Sequence, residues 1–225
     1  MELPIFNDNL KSSAAWNQRL AQAQAARTSS VAAVRAEQVA QLGRLAGWTN
    51  DAVALARLHA AAELVSGWAA ETAPTFGVER LLAMQRTLTG VAADAAVLRQ
   101  TAPVPLNALH DPAPASLLPR FLDNAFDWFA TEGFNELHAV EQAAVVFLRL
   151  LDLHPFTQHT ELAALLAASF YVERAGWPPL FAFNDDITRQ RYAAVTETAF
   201  RMLTQPLVEF FAEQLTRALL LGEAA

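Results

Sequence analysis

A chain of 225 residues is long enough for one substantial domain, or one domain with a helical extension. Hydrophobic residues make up 53%, which excludes a disordered chain. A net charge of −7 without any lysine-arginine cluster argues against nucleic acid and anionic membrane surfaces as partners, and the lack of cysteine excludes disulfides, thiolate zinc sites and cysteine nucleophiles.

Alanine and leucine dominate the stretches between glycines and prolines, and runs of Val, Ile and Thr are scarce, so the chain reads as mainly α. The N-terminus shows no basic stretch ahead of an apolar one, so no secretory signal is expected. The longest nearly apolar run, residues 162–172, is too short for a bilayer core of about 30 Å. A cytoplasmic location is the default expectation.

The first predicted helix covers residues 9–27, with Trp16, Leu20, Ala23 and Arg27 at helical spacing. Thr28, Ser29 and Ser30 offer an N-cap for a second helix to Leu42. Asp51 opens a long alanine-rich helix to about Glu71, and residues 78–88 form the next. Residues 1–75 are thus expected as an N-terminal helical extension packed on a core of residues 76–225, in one compact unit. From 89 to 115, Gly90, Pro103, Pro105, Pro112 and Pro114 forbid a continuous helix. Within this stretch, residues 96–99 and 102–106 suggest a short hairpin, which its prolines would confine to a sheet edge. Helices resume over 116–131 and 137–151, the latter with Val140, Ala144, Phe147, Leu148 and Leu151 on one face. After a loop at 152–158, a strongly apolar helix spans 159–175. Asp186 is expected to cap a helix to Met202, and Pro206 to start the last one.

His154-Pro155-Phe156 lies between two apolar helices. Taken alone, a histidine there is most simply a core residue hydrogen-bonded to backbone. The order of the surrounding elements supports a second reading. Residues 140–156 (VEQAAVVFLRLLDLHPF) resemble the Fic family of protein-modifying transferases, whose signature is His-x-Phe-x-Asp/Glu-Gly-Asn-Gly-Arg-x-x-Arg. Leu98-Arg99 and Val104-Pro105-Leu106 resemble that family's flap hairpin, and His110-Asp111-Pro112-Ala113-Pro114 the proline-rich stretch after it. Downstream, Gly176-Trp177-Pro178-Pro179-Leu180 and Arg189-x-x-Tyr192-x-x-Val195 fall where the family places such residues. The resemblance covers most of the chain and implies a Fic-like helical domain with a short β-hairpin flap.

In the family the histidine is a general base for a target hydroxyl, the phenylalanine anchors the loop, and the acidic residue holds Mg²⁺ on the phosphates. Gly-Asn-Gly closes backbone N–H groups around those phosphates, and the arginines neutralise their charge. His154 and Phe156 are kept. Gln158 stands at the acidic position, His159, Thr160 and Glu161 replace Gly-Asn-Gly, and Leu162 and Leu165 replace the arginines. Two of these changes put side chains where close backbone approach wants glycine. Glu161 sets a negative charge where a phosphate would sit. At about 4 Å and an effective dielectric of 20 that repulsion is roughly 4 kcal/mol. Glu161 also has a structural reading, since a carboxylate in a first helical turn meets the positive end of the helix dipole. The implied outcome is loss of Mg-ATP binding, with no cofactor.

Many relatives carry an inhibitory helix reading Ser/Thr-x-x-x-Glu-Gly/Asn. Residues 29–34 fall at a similar distance ahead of the core, with Ser29 matching, Ala33 at the glutamate and Val34 at the glycine. Ser29 and Ser30 are equally readable as simple helix caps. A metal at His154, His159 and Glu161 is disfavoured, because the spacing lacks the i, i+4 pairing that aligns ligands on one helical face. His59, His110 and His138 are expected at the surface or as caps. No Gly-x-Ser-x-Gly elbow, P-loop or dinucleotide fingerprint occurs.

The resemblance therefore implies a pseudoenzyme related to AMP-transferases of protein hydroxyls, acting through binding. A protein partner at the flap residues Leu98, Arg99 and Val104 is one such role. A divergent nucleotidyl- or phospho-group transferase using His154 as base is the alternative. A helical scaffold or homodimer module is the third.

Overall fold

The structure is a computed structural model that describes residues 14–26, 30–180 and 185–221. Among the described residues ten α-helices follow one another: α1 Ala14–Ala25, α2 Val31–Leu45, α3 Ala52–Ala69, α4 Val78–Thr89, α5 Leu118–Phe129, the single turn α6 Glu132–Asn135, α7 Ala139–Leu153, α8 Thr160–Glu173, α9 Asp186–Phe200 and α10 Gln205–Leu219. Local signals set most of their ends. The Ser30 hydroxyl accepts the Ala33 N–H at 3.1 Å, and the Asp51 carboxylate accepts that of Ala54 at 2.9 Å. His138 and Glu141 close a reciprocal capping box at the start of α7. Most boundaries shift by one to three residues from expectation, and two of the shifts have a visible cause. α2 runs on to Leu45, because Gly43 sits buried against α3, where a Cβ would collide with Leu55. α9 is capped by Asp185 rather than Asp186, through a 2.6 Å bond from the Thr188 N–H.

The centre is the pair α7 and α8. Residues 162–172 of α8 are buried on every side, which a helix tolerates only when neighbours surround it. α3 and α4 pack along one flank of α8, α5 against α7, and α9 and α10 close the opposite side. One continuous cluster of buried side chains extends from Leu20 to Leu215, so α2 and α3 contribute to the same core as α4 to α10. A buried polar network reinforces that union. Arg35 on α2 meets Glu173 on α8 at 2.8 Å, and Glu173 also accepts from Ser66 on α3 and from Ser169. No helix is long and apolar enough to cross a membrane among the described residues.

The expected β-hairpin flap is not formed. The described residues contain no β-strand; one isolated antiparallel bridge joins Leu98 to Phe156. The Arg99 N–H donates to the Pro155 carbonyl at 2.9 Å, so residues 98–99 pair with the loop after α7 and not with 102–106. Pro103 and Pro105 explain the difference: neither has the N–H that a hairpin ladder needs, and Val104 between them is 84% exposed.

Candidate functional site

α7 ends at His154, whose backbone turns left-handed (φ 44°), and α8 starts after His159, which does the same (φ 59°). Left-handed backbone costs an L-residue roughly 1–2 kcal/mol, so surrounding contacts must hold both turns. Arg99 holds the first. Its guanidinium is buried and donates to the carbonyls of Thr101, Ala113, Leu153 and His154. Thr160 holds the second: its hydroxyl accepts the Phe156 N–H at 3.3 Å and donates to the Phe156 carbonyl at 3.1 Å. Phe156 is itself buried in the core. The Gln158 carbonyl accepts from Gln85 at 2.8 Å, while its side chain lies at an exposed position.

Around His154 the structure assembles residues from distant segments. His110 stacks on it, with ring centroids 5.8 Å apart and planes 17° from parallel. His110 Nδ1 accepts the Leu106 N–H at 2.9 Å, which leaves Nε2 to donate to the Asp152 carbonyl at 3.0 Å. His154 Nδ1 is buried without a hydrogen-bond partner. Burial, then the neighbouring His110 and Arg99, lower the His154 pKa to about 4. The ring is therefore neutral at physiological pH.

The first turn of α8 presents Glu161. Its carboxylate accepts a 2.6 Å hydrogen bond from the buried Tyr192 hydroxyl on α9, and burial raises its pKa against that bond. His159 meets the edge of Trp48 at 4.6 Å between ring centroids, and burial lowers its pKa. Leu162 and Leu165 are both buried in the core. Between these elements lies a cavity of about 220 Å³. Leu45, Ala46, Leu106, Leu151 and Leu162 form its apolar walls; His154, His159, Thr160 and Glu161 form its polar side. Among the described residues no arginine or lysine lines it.

These residues differ from those that a phosphate chain with Mg²⁺ would use. The cavity is smaller than the roughly 300–1,000 Å³ usual for small-molecule sites, its charged group is an anion, and Gln158 supplies no carboxylate. The Thr160 hydroxyl, which replaces the asparagine of the family motif, is occupied by the Phe156 backbone. The described residues contain no group of three or more His, Cys, Asp or Glu arranged to hold a metal.

Of the inhibitory-helix positions, the described ones, Ala33 and Val34, are not among the residues at this site. Ser29 lies outside the described residues. Ala33 is exposed, and Val34 packs beside Ala218 of α10. Leu45, which does line the cavity, is twelve residues further along α2, about 18 Å at 1.5 Å per residue. Among the flap positions, Leu98 and Arg99 reach the site loop, whereas Val104 faces solvent. Sequence reasoning missed His110, expected at the surface or as a cap but 4% exposed; it gave no role to Trp48, and took Tyr192 only as part of the downstream resemblance, without its bond to Glu161. The proline-rich stretch 111–114 beside it was the available signal for His110, whose Nε2 reaches the Asp152 carbonyl near the end of α7.

No family model matches the chain. Solved structures do. Fic-1 from C. elegans superposes with a TM-score of 0.62 at 19% identity, over 96% of this chain and 65% of that one. A Fic domain-containing signaling protein from Bacteroides thetaiotaomicron gives 0.63 at 17%, over 96% and 89%. IbpAFic2, crystallised covalently tethered to Cdc42, gives 0.64 at 12%, over 96% and 72%. The fold of this chain is the Fic fold. The chain spans just under two thirds of the length of the C. elegans structure.

Proposed function

We propose that this Fic-fold protein does not transfer nucleotides and acts through binding. The observation that carries the reading is the cavity at the start of α8: it is small, and its charged wall is Glu161 where a phosphate site needs cations and glycine. A phosphate oxygen about 4 Å from that carboxylate meets roughly 4 kcal/mol of repulsion at an effective dielectric of 20. Leu162 and Leu165, sunk in the core, offer nothing against it.

A binding role toward protein has support beside the cavity. Val104, Leu106 and Leu109 are exposed apolar residues on the segment that Arg99 anchors to the site loop, and Leu106 also lines the cavity. The structural neighbour tethered to Cdc42 is a case of this fold engaging a protein. A divergent transferase has one observation in its favour, a neutral His154 lining the cavity. A base with a pKa of about 4 is poorly matched to proton abstraction near pH 7, which favours the binding reading.

Thermal unfolding with and without millimolar Mg-ATP tests the proposal. A ligand at 100 times its dissociation constant adds about 2.7 kcal/mol, or roughly 5–10 °C in a domain of this size. The expected shift is nil. A shift of several degrees, followed by label transfer from ATP, would overturn the proposal.

A further inference from the structure

Glu161 is a largely buried carboxylate whose observed partner is a neutral hydroxyl. Among the described residues no lysine or arginine lies within salt-bridge distance of it. Buried carboxylates are ordinarily paired, because desolvating the charge is costly without a counter-ion. Tyr192 donates to Oε1, and among the described residues no hydrogen bond is seen at Oε2. The cavity that Glu161 borders carries two further groups with acceptor capacity, the imidazoles of His154 and His159. Both are held in the neutral form by burial. The polar side of the cavity is thus rich in acceptors, and among the described residues no cationic side chain lines it. The rest of the lining includes aliphatic side chains, those of Leu45, Leu106, Leu151 and Leu162.

We infer that this cavity binds a primary alkylammonium group on a short aliphatic chain, with the ammonium on Glu161 and the chain against the leucines. Its polarity is the reverse of a phosphate site. Three ammonium protons can be shared between Oε2 and a neutral imidazole, and the methylenes gain burial that a hydrated inorganic cation would not. Leu106, half-exposed at the rim, leaves two sources for such a group: a free small amine, or a lysine side chain presented by a protein. The inference rests on the reading that nucleotide binding is absent, and the two fail separately. ATP binding would sink the first, and the titrations below decide the second.

The experiment is calorimetric titration of the full chain with n-butylammonium chloride, with sodium butyrate, and with the capped tripeptide Ala-Lys-Ala. Glu161→Gln, which keeps the shape and an acceptor for Tyr192, is titrated alongside, and its thermal unfolding checks that it folds. Butylammonium or the tripeptide should bind wild type while butyrate does not, and Glu161→Gln should weaken that binding at least tenfold. Tighter binding of butylammonium identifies a free amine as the source, and tighter binding of the tripeptide a lysine side chain. No heat from either cation, preferential binding of butyrate, or unchanged affinity in a folded Glu161→Gln would overturn the inference.

Discussion

Replacing Arg99 by methionine removes one guanidinium and leaves four carbonyls, those of Thr101, Ala113, Leu153 and His154, without their donor. Methionine fills much of the same volume, so the loss is chiefly polar. Hydrogen bonds to a charged group contribute about 1.5–3 kcal/mol each. Three terms reduce the sum: the guanidinium no longer has to be desolvated, water can reach the carbonyl of exposed Thr101, and the bonds share one donor group. A net loss of about 3 kcal/mol follows, or roughly 6–12 °C in melting temperature for a domain of this size. Urea denaturation read by circular dichroism measures it. The same variant has a local signature, because Arg99 is one of the causes holding the His154 pKa down. Proton NMR titration of the histidines should show that ring titrating at higher pH in Arg99→Met than in wild type. A loss below about 1 kcal/mol with an unmoved His154 titration would refute the idea that Arg99 anchors the loop.

Two further outcomes are expected. His154 has a folded pKa near 4 against 6.5 for the free side chain, so between those values the unfolded chain binds a proton that the folded one does not. Its contribution is fully present above pH 6.5, is lost as pH falls through that window, and levels off below about 4. The shift corresponds to about 3 kcal/mol at most, and solvent at the ring edge reduces this to about 1–2 kcal/mol. Wild type minus His154→Gln, measured by urea denaturation from pH 7 to 4.5, isolates it, since the raised carboxylates Glu161 and Glu173 contribute the opposite slope to both proteins. Parallel curves would dismiss the His154 assignment. Arg35→Met leaves Glu173 buried among Ser66 and Ser169 without its cation, and should lose about 3–5 kcal/mol; the double variant with Glu173→Met should recover most of it. If Arg35→Met unfolds at the wild-type urea concentration, α2 is held by its apolar face alone.

The helices were readable because their signals are local. Apolar periodicity, Ser30 and Asp51 as caps, and the breakers Pro112, Pro114 and Gly176 act within a few residues of where they stand. The flap was misjudged for an equally physical reason. Residues 96–106 read as a hairpin because two short segments flank a turn, but strand pairing needs backbone donors, and two prolines withhold them. Leu98 found its partner at Phe156 instead. Ala33, from the stretch resembling an inhibitory helix, stands near the start of the fifteen-residue α2, about 18 Å along it from the cavity-lining Leu45.

The sequence by itself determined that the chain is mainly helical and that His154 and Phe156 stand in a loop between two apolar helices. Those properties follow from side-chain period and breaker placement, which act over one or two turns. Only the tertiary structure decided what surrounds that loop. His110 arrives over 44 residues to stack on His154, Arg99 over 55 to bind its carbonyl, and Tyr192 over 31 to meet Glu161. No local pattern encodes such meetings. They are set by which polar groups are carried inside when the helices close, and by the requirement that each buried donor or acceptor find a partner there.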